Sequence, residues 1–225
     1  VMVQSRRKAR YRALLDQLRS RGLAYGCACT RRELAAAPPG IDGAPIYPGT
    51  CRQGLPAGKA ARAWRLAVGA ARIAFDDAIQ GRVSQRLAAD VGDFALLRAD
   101  GYFAYQLAVV ADDADQGITQ VVRGADLLDS TPRQIFLQRC LGFATPGYAH
   151  LPVAVNAAGE KLSKQTCAAP VETDAQGAAA ALTAALRFLG QAPPPGGDIE
   201  DIWRWAPAHW RLANVPRPRR LPSAC

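Results

Sequence analysis

The stretch from Gly92 to Phe143 constrains the fold more than any other part of the chain, because structural type alternates repeatedly within it. Asp93 to Arg98 reads as a strand, and Asp100-Gly101 is a strong hairpin-turn signal. Tyr102 to Val110 is apolar and enters a helix. Ile118 to Arg123 reads as a buried strand ending in Gly124. Thr131-Pro132 supplies an N-cap and a first helical residue, opening an amphipathic helix through Leu141. Strand, helix, strand and helix in such quick succession form an α/β signature, and a parallel sheet is expected.

The flanks are simpler. Ser5 is placed to cap a helix in which Tyr11, Leu14, Leu15 and Leu18 follow the i, i+3, i+4, i+7 pattern, and Gly22 ends it. From Cys27 to Cys51 the text is loop-like, broken by Pro38, Pro39, Gly40, Gly43, Pro45, Pro48 and Gly49. Ala63 to Leu66 and Ala71 to Asp76 are strand-like, and Leu151 to Val155 is a further strand leading into Asn156-Ala-Ala-Gly159. Ala178 to Leu189 is helical, and after a Pro/Gly break at 193–197 a Trp-rich helix starts at Ile199. No internal repeat is visible.

With 225 residues, 49% of them hydrophobic, the chain can bury the core of one large domain or of one domain with appendages. The net charge of +9 is concentrated partly at the ends, in Arg6, Arg7, Lys8, Arg10 and Arg12 and in Arg211, Arg217, Arg219 and Arg220. That balance fits a polyanion such as RNA, the alternative being a solvated Arg-rich surface. No apolar run approaches membrane-spanning length. No signal peptide is visible, so the six Cys point to a reduced, cytoplasmic protein with a metal cluster rather than to a disulfide framework.

Three constellations carry chemistry. Cys27-x-Cys29 with Cys51 offers three thiolates to a tetrahedral zinc ion, and Asp42 or Tyr47 can complete the set. The alternative is three reduced cysteines in a Pro/Gly loop. Lys161-Leu-Ser-Lys-Gln165 places Lys161 and Lys164 on either side of Ser163 in a loop that can bind polyphosphate, although such strings are common on surfaces. Tyr105 and Arg123 flank an acidic helix end. Arg123 closes a strand, where α/β sheets bind ligands, and could clamp a carboxylate; the alternative is an ion pair with Asp112, Asp113 or Asp115.

Read together, these segments resemble one family. Asp93-Phe-Ala-Leu-Leu-Arg-Ala-Asp-Gly101, Tyr105-Gln-Leu-Ala-Val-Val110, Ile118-Thr-Gln-Val-Val-Arg-Gly-Ala-Asp126 and Thr131-Pro-Arg-Gln134 resemble the catalytic core of glutamyl- and glutaminyl-tRNA synthetases. Lys161-Leu-Ser-Lys-Gln165 resembles their class I signature, KMSKS. Within that group Arg-Gly-Ala-Asp126, the Lys-Leu-Ser-Lys-Gln165 loop and the Cys-x-Cys…Tyr-x-x-x-Cys spacing are most like the glutamyl-queuosine tRNA(Asp) synthetases. The tail agrees, since only about 60 residues follow that loop, too few for a typical ~100-residue further domain.

The resemblance implies an α/β fold: the C-terminal portion of a class I, Rossmann-type catalytic domain with an inserted zinc-binding segment and a short helical tail. It divides the chain into a connecting helix and zinc insertion over 1–92, the second half of the catalytic domain with its KMSKS-like loop over 93–170, and a helical tail over 171–225. It implies structural zinc on Cys27, Cys29, Tyr47 and Cys51, glutamate on Tyr105 and Arg123, and catalysis from Lys161, Ser163 and Lys164, with Lys164 contacting ATP. The implied activity is ATP-dependent ligation of L-glutamate, with magnesium accompanying ATP, to queuosine in the anticodon of tRNA(Asp). A monomer without membrane contact is implied. No HIGH string occurs here, because His150 is followed by Leu-Pro and His209 by Trp-Arg. The expectation is therefore an N-terminally truncated chain, inactive alone, of an enzyme whose intact form is active. The alternatives are a fragment of a glutamyl-tRNA synthetase and a non-catalytic, zinc-bearing RNA-binding remnant.

Overall fold

The computed structural model describes residues 2–163, 170, 172 and 174–223. In chain order the elements are α1 (Lys8–Ser20), β1 (Ala24–Cys27), α2 (Arg31–Ala35), β2 (Ala63–Leu66), β3 (Arg72–Asp77), β4 (Gly81–Arg86), α3 (Leu87–Asp90), β5 (Phe94–Leu97) and α4 (Tyr105–Asp115). They continue with β6 (Gln120–Gly124), α5 (Thr131–Leu141), β7 (Gly147–Leu151), β8 (Val153–Val155), α6 (Ala175–Phe188), α7 (Ile199–His209) and β9 (Arg220–Pro222). The chain forms two compact units, one of Val1–Phe75, Arg82–Val121 and Asp129–Gly147, the other of Asp76–Gly81, Val122–Leu128 and Tyr148–Cys225.

In the first unit, α1 buries the expected stripe, Tyr11, Leu14, Leu15 and Leu18, against α4 and α5. Ser5 does not cap it. Ser5 lies in a short 3-10 turn, and Arg7 holds the cap position with no side-chain bond to the helix. The helix start is tied instead to the acidic end of α4. Arg7 Nε lies 2.7 Å from Asp112, Arg10 2.7 Å from Asp115, and the Tyr11 hydroxyl 2.9 Å from Asp112. Carboxylates at a helix C-terminus oppose the macrodipole, and these arginines offset that cost. Part of the basic N-terminal run is thus neutralised within the chain.

β1, β2 and β5 form a three-stranded antiparallel sheet, with Cys27 opposite Ala63 and Leu66 opposite Phe94. The expected parallel arrangement is absent from this sheet, because the chain leaves at Cys27 and returns at Ala63, reversing direction around the cysteine loop. The Asp100-Gly101 turn closes as expected, with Arg98 N–H donating to Tyr102 O at 2.9 Å. In α5, Ser130 takes the cap position and Thr131 the first helical turn, and Gly142 ends the helix with φ of 75°. The expected amphipathic character does not hold, since nine residues around α5 are buried. Among the polar ones, Arg133 pairs with Asp42 at 2.7 Å and Gln134 donates to Gln106 at 2.9 Å. β6, expected to be buried, passes from this unit into the second and leaves Val122 63% exposed, because among the described residues it pairs with β7 alone, in a two-stranded sheet.

In the second unit, β8 pairs in parallel with β9, Val153 opposite Arg220. The strand expected over 151–155 is interrupted at Pro152, which has no N–H to donate. α6 starts earlier than expected because Asp174 caps it through Gly177 N–H, and Asp198 caps α7 through Asp201 N–H. Leu186, Ile202 and Ala206 form the core between these two helices, with Trp205 and Trp210 packed on it. Among the described residues no helix is long and apolar enough to cross a membrane.

Candidate functional sites

The cysteine loop of the first unit folds its donors together. Cys29 Sγ lies 3.7 Å from Cys51 Sγ, and the Tyr47 hydroxyl lies 3.4 Å from Cys27 Sγ and 3.6 Å from Cys29 Sγ. All three sulfurs fall within 4.8 Å of one another. Zinc with bonds of about 2.3 Å to sulfur and about 2.0 Å to oxygen, at tetrahedral angles, separates sulfurs by about 3.8 Å and sulfur from oxygen by about 3.5 Å. The donor set therefore has the size and chemistry of a closed zinc site. Asp42, the other candidate for the fourth ligand, is engaged elsewhere by Arg133 and Ala44 N–H.

Backbone geometry places Tyr47. It bridges to Gly92, whose φ of 68° suits glycine and where an added Cβ would stand 2.8 Å from Tyr47 N. The Arg65 guanidinium lies over the Tyr47 ring at 4.0 Å, a cation–π contact. The buried carboxylate of Asp93 accepts from Val68 N–H and from Arg52 Nε at 2.9 and 2.8 Å, and from the Tyr25 hydroxyl, fixing the strands beneath the loop. Burial opposes ionisation of Cys27, but the Tyr47 hydroxyl and Arg65 more than offset it and hold this thiol below its ordinary range. Burial and the adjacent sulfurs push the Tyr47 phenol up, and a bound cation inverts that preference.

Beside Cys29 opens a cavity of about 690 Å³ lined by Arg31, Arg32, Arg62, Arg65 and Arg98, with Asp100 as the single lining carboxylate among the described residues. Arg98 pairs with that Asp100, and Arg65 Nε is buried without a hydrogen-bond partner among the described residues. Arginine forks at this density suit anionic oxygens. The capping box Thr30-x-x-Glu33, which closes in full at the start of α2, sets Arg31 and Arg32 at the rim.

The second unit holds a buried polar chain. Asp77 Oδ1 accepts from the N–H groups of Ile79, Gln80 and His150 at 3.0, 2.9 and 3.1 Å. Asp77 Oδ2 lies 2.6 Å from His150 Nδ1, and Arg123 Nε donates to His150 Nε2 at 3.0 Å. Arginine can only donate, so Nε2 carries the lone pair and Nδ1 the proton. Burial and the Arg123 charge hold His150 below its ordinary value, consistent with a neutral ring.

The remaining expected residues are placed as follows. Tyr105, 47% exposed, opens α4 in the first unit, whereas Arg123 belongs to the second. Lys161 Nζ lies 2.6 Å from Asp126, and Ser163 follows in the same loop. Lys164 lies outside the described residues. Asp77, His150 and Arg65 were not anticipated. A signal was present for His150 alone, a polar residue between Ala149 and Leu151 in an apolar stretch.

Comparison with known proteins gives a consistent picture. Residues 1–193 match the family model for tRNA synthetases class I (E and Q), catalytic domain. The Glutamyl-Q tRNA(Asp) synthetase of Dechloromonas aromatica is 61% identical over 222 residues, covering 96% of this chain and 73% of that protein. The Glutamyl-Q tRNA(Asp) synthetase of Chromobacterium violaceum is 55% identical over 225 residues, covering 99% and 74%. Among solved structures, a glutamate tRNA ligase from Elizabethkingia meningosepticum in complex with its amino acid superposes with a TM-score of 0.71 at 21% identity. That match covers 98% of this chain and 51% of the ligase, so the chain spans about half of its length, and the likeness is one of fold.

Proposed function

The chain belongs to the class I tRNA synthetase family for glutamate and glutamine, through its catalytic domain, and from that membership we propose that it activates glutamate with ATP and transfers it to queuosine in the anticodon of tRNA(Asp). The observation that carries this reading is the 61% identity, over 222 residues, to a protein named for that reaction. The chemistry is a ligation. A glutamate carboxylate attacks the α-phosphorus of ATP in line, pyrophosphate leaves, and the mixed anhydride passes its acyl group to a hydroxyl of the queuosine cyclopentene ring as AMP departs.

Arg123 supplies a charge-assisted, bidentate grip on a substrate carboxylate, and its attachment to His150 supports that role. Tyr105, exposed at the start of α4, contacts glutamate. Lys161, Ser163 and Lys164 bring cations and a hydroxyl to the ATP phosphates, where magnesium shares the neutralisation of charge. The Lys161–Asp126 pair is 55% and 36% exposed, so it is worth only about 0–1 kcal/mol and can give way to phosphate. Cys27, Cys29, Tyr47 and Cys51 hold a structural zinc ion, a reading supported by separations that fit tetrahedral ligation. The arginine-lined cavity and the net charge of +9 support an RNA partner.

Glutamate-dependent ATP–pyrophosphate exchange tests the activation step, with these residues replacing the matching segment of the Dechloromonas aromatica relative. Exchange should require glutamate, and Arg123→Ala should raise the KM for glutamate by roughly a hundredfold without changing that for ATP. Exchange supported equally by glutamine, or an unchanged glutamate KM, would overturn the reading.

A further inference from the structure

We propose that Asp77 and His150 are positioning residues for Arg123, holding its guanidinium plane so that the Nη edge meets the carboxylate of an acidic amino-acid substrate. The proposal rests on the role of Arg123 in glutamate binding given above.

The geometry defines each step of the chain. Asp77 is 4% exposed and cannot rotate freely, because Oδ1 is held by three backbone N–H groups. Its second oxygen therefore has a fixed place, 2.6 Å from His150 Nδ1. His150 is fully buried, its carbonyl is held by Gln80 Nε2 at 2.9 Å, and its ring stacks on Tyr148 at 6.1 Å with a 16° tilt. The Nδ1–H tautomer leaves an Nε2 lone pair directed at Arg123 Nε. An arginine held through Nε keeps both Nη groups on the opposite edge of the fork, the edge that binds a carboxylate with two parallel bonds. Because the ring is neutral, this contact orients the guanidinium without supplying it a countercharge. The arrangement thus transmits the rigidity of the Asp77 turn to the arginine through an uncharged link.

The test uses the chain itself. It contains two histidines, His150 and His209, so ring nitrogens labelled with 15N are assigned by a single His209→Gln control. His150 should show a protonated Nδ1 and an unprotonated Nε2, and glutamate should shift the Nε2 signal in the wild type but not in Arg123→Ala. Asp77→Asn keeps the Oδ1 acceptor but offers Nδ1 a donor. It should turn the ring to the Nε2–H tautomer, setting donor against donor at Arg123. Glutamate affinity should fall roughly tenfold to a hundredfold in Asp77→Asn and in His150→Leu. His150→Gln, which retains an acceptor, should recover most of that loss. Should His150→Leu not fold, Asp77→Asn and His150→Gln decide alone. Equal losses in the Gln and Leu variants, or wild-type affinity in Asp77→Asn with the tautomer turned, would overturn the proposal. If Arg123→Ala itself leaves glutamate affinity unchanged, it is the functional reading of Arg123 that fails. If Arg123→Ala weakens binding while the Asp77 and His150 variants do not, only the positioning role fails.

Discussion

Removing one oxygen atom separates a metal site from a packed cysteine loop. Tyr47→Phe keeps the ring under Arg65 and deletes only the hydroxyl, which accepts from Cys51 N–H at 2.9 Å and stands 3.4 and 3.6 Å from two sulfurs. In a metal-free loop the cost is one buried N–H left unpaired, about 1–3 kcal/mol. At about 2–4 °C per kcal/mol for a chain of this length, the melting temperature falls by roughly 2–12 °C whether or not a chelator is present. With zinc bound, the variant also loses one of four ligands. Structural zinc contributes on the order of 10 kcal/mol to folding, so wild-type stability should then drop steeply in chelator, and Tyr47→Phe should release its metal much faster. Metal content by elemental analysis, release to a chromophoric chelator and melting curves with and without chelator together decide the matter. One zinc per wild-type chain, with faster release from Tyr47→Phe and from Cys51→Ala, is expected. A wild-type melting curve indifferent to chelator, with no zinc in protein purified without added metal, would refute the reasoning.

Three further outcomes follow from the same geometry. Arg31→Ala and Arg62→Ala, in the arginine-lined cavity, should each lower the logarithmic salt slope of tRNA binding by about 1 and weaken unrelated RNAs equally; an unchanged slope in a filter-binding series would remove the cavity from the RNA surface. Asp93→Ala strands Val68 N–H and the Tyr25 hydroxyl in the interior and should cost about 2–4 kcal/mol, read by denaturant titration, whereas a loss below 1 kcal/mol would show that water repairs the gap. Burial alone would raise Asp77, but hydrogen bonds from Gln80, His150 and Ile79 hold it below its ordinary value, and His150 is also depressed by burial. In both cases the unfolded chain binds the proton more readily, so stability should be complete above pH 6.5, decline as His150 is forced to charge, and fall again below about pH 3.8; a flat profile between pH 7 and 4 would contradict this.

Much of the fold was legible because it rests on local rules. The α1 stripe, β2 at Ala63–Leu66, the Asp100-Gly101 turn and the end of α5 at Leu141 each follow from residues within a few positions of one another. Cys27 and Cys29 are neighbours in sequence, but their approach to Cys51 spans more than twenty residues, and the approach of Tyr47 depends on Gly92, far along the chain, which fixes the tyrosine backbone. α5 misled because its buried polar residues Gln134 and Arg133 find partners in Gln106 and Asp42, which no periodicity reveals. The Asp77–His150–Arg123 chain was hidden by separations of 73 and 27 residues, across which no spacing rule operates. Thr30-x-x-Glu33, by contrast, was a readable capping box masked by the Pro- and Gly-rich text after it.

The assignment of the acceptor nucleotide tests the central claim most directly. With these residues replacing the matching segment of the Dechloromonas aromatica relative, labelled glutamate should be transferred to tRNA(Asp) that carries queuosine. The same tRNA with guanosine in place of queuosine should take up none, and neither should tRNA(Glu). Transfer to tRNA(Glu) at a comparable rate, or to tRNA(Asp) regardless of queuosine, would contradict the account.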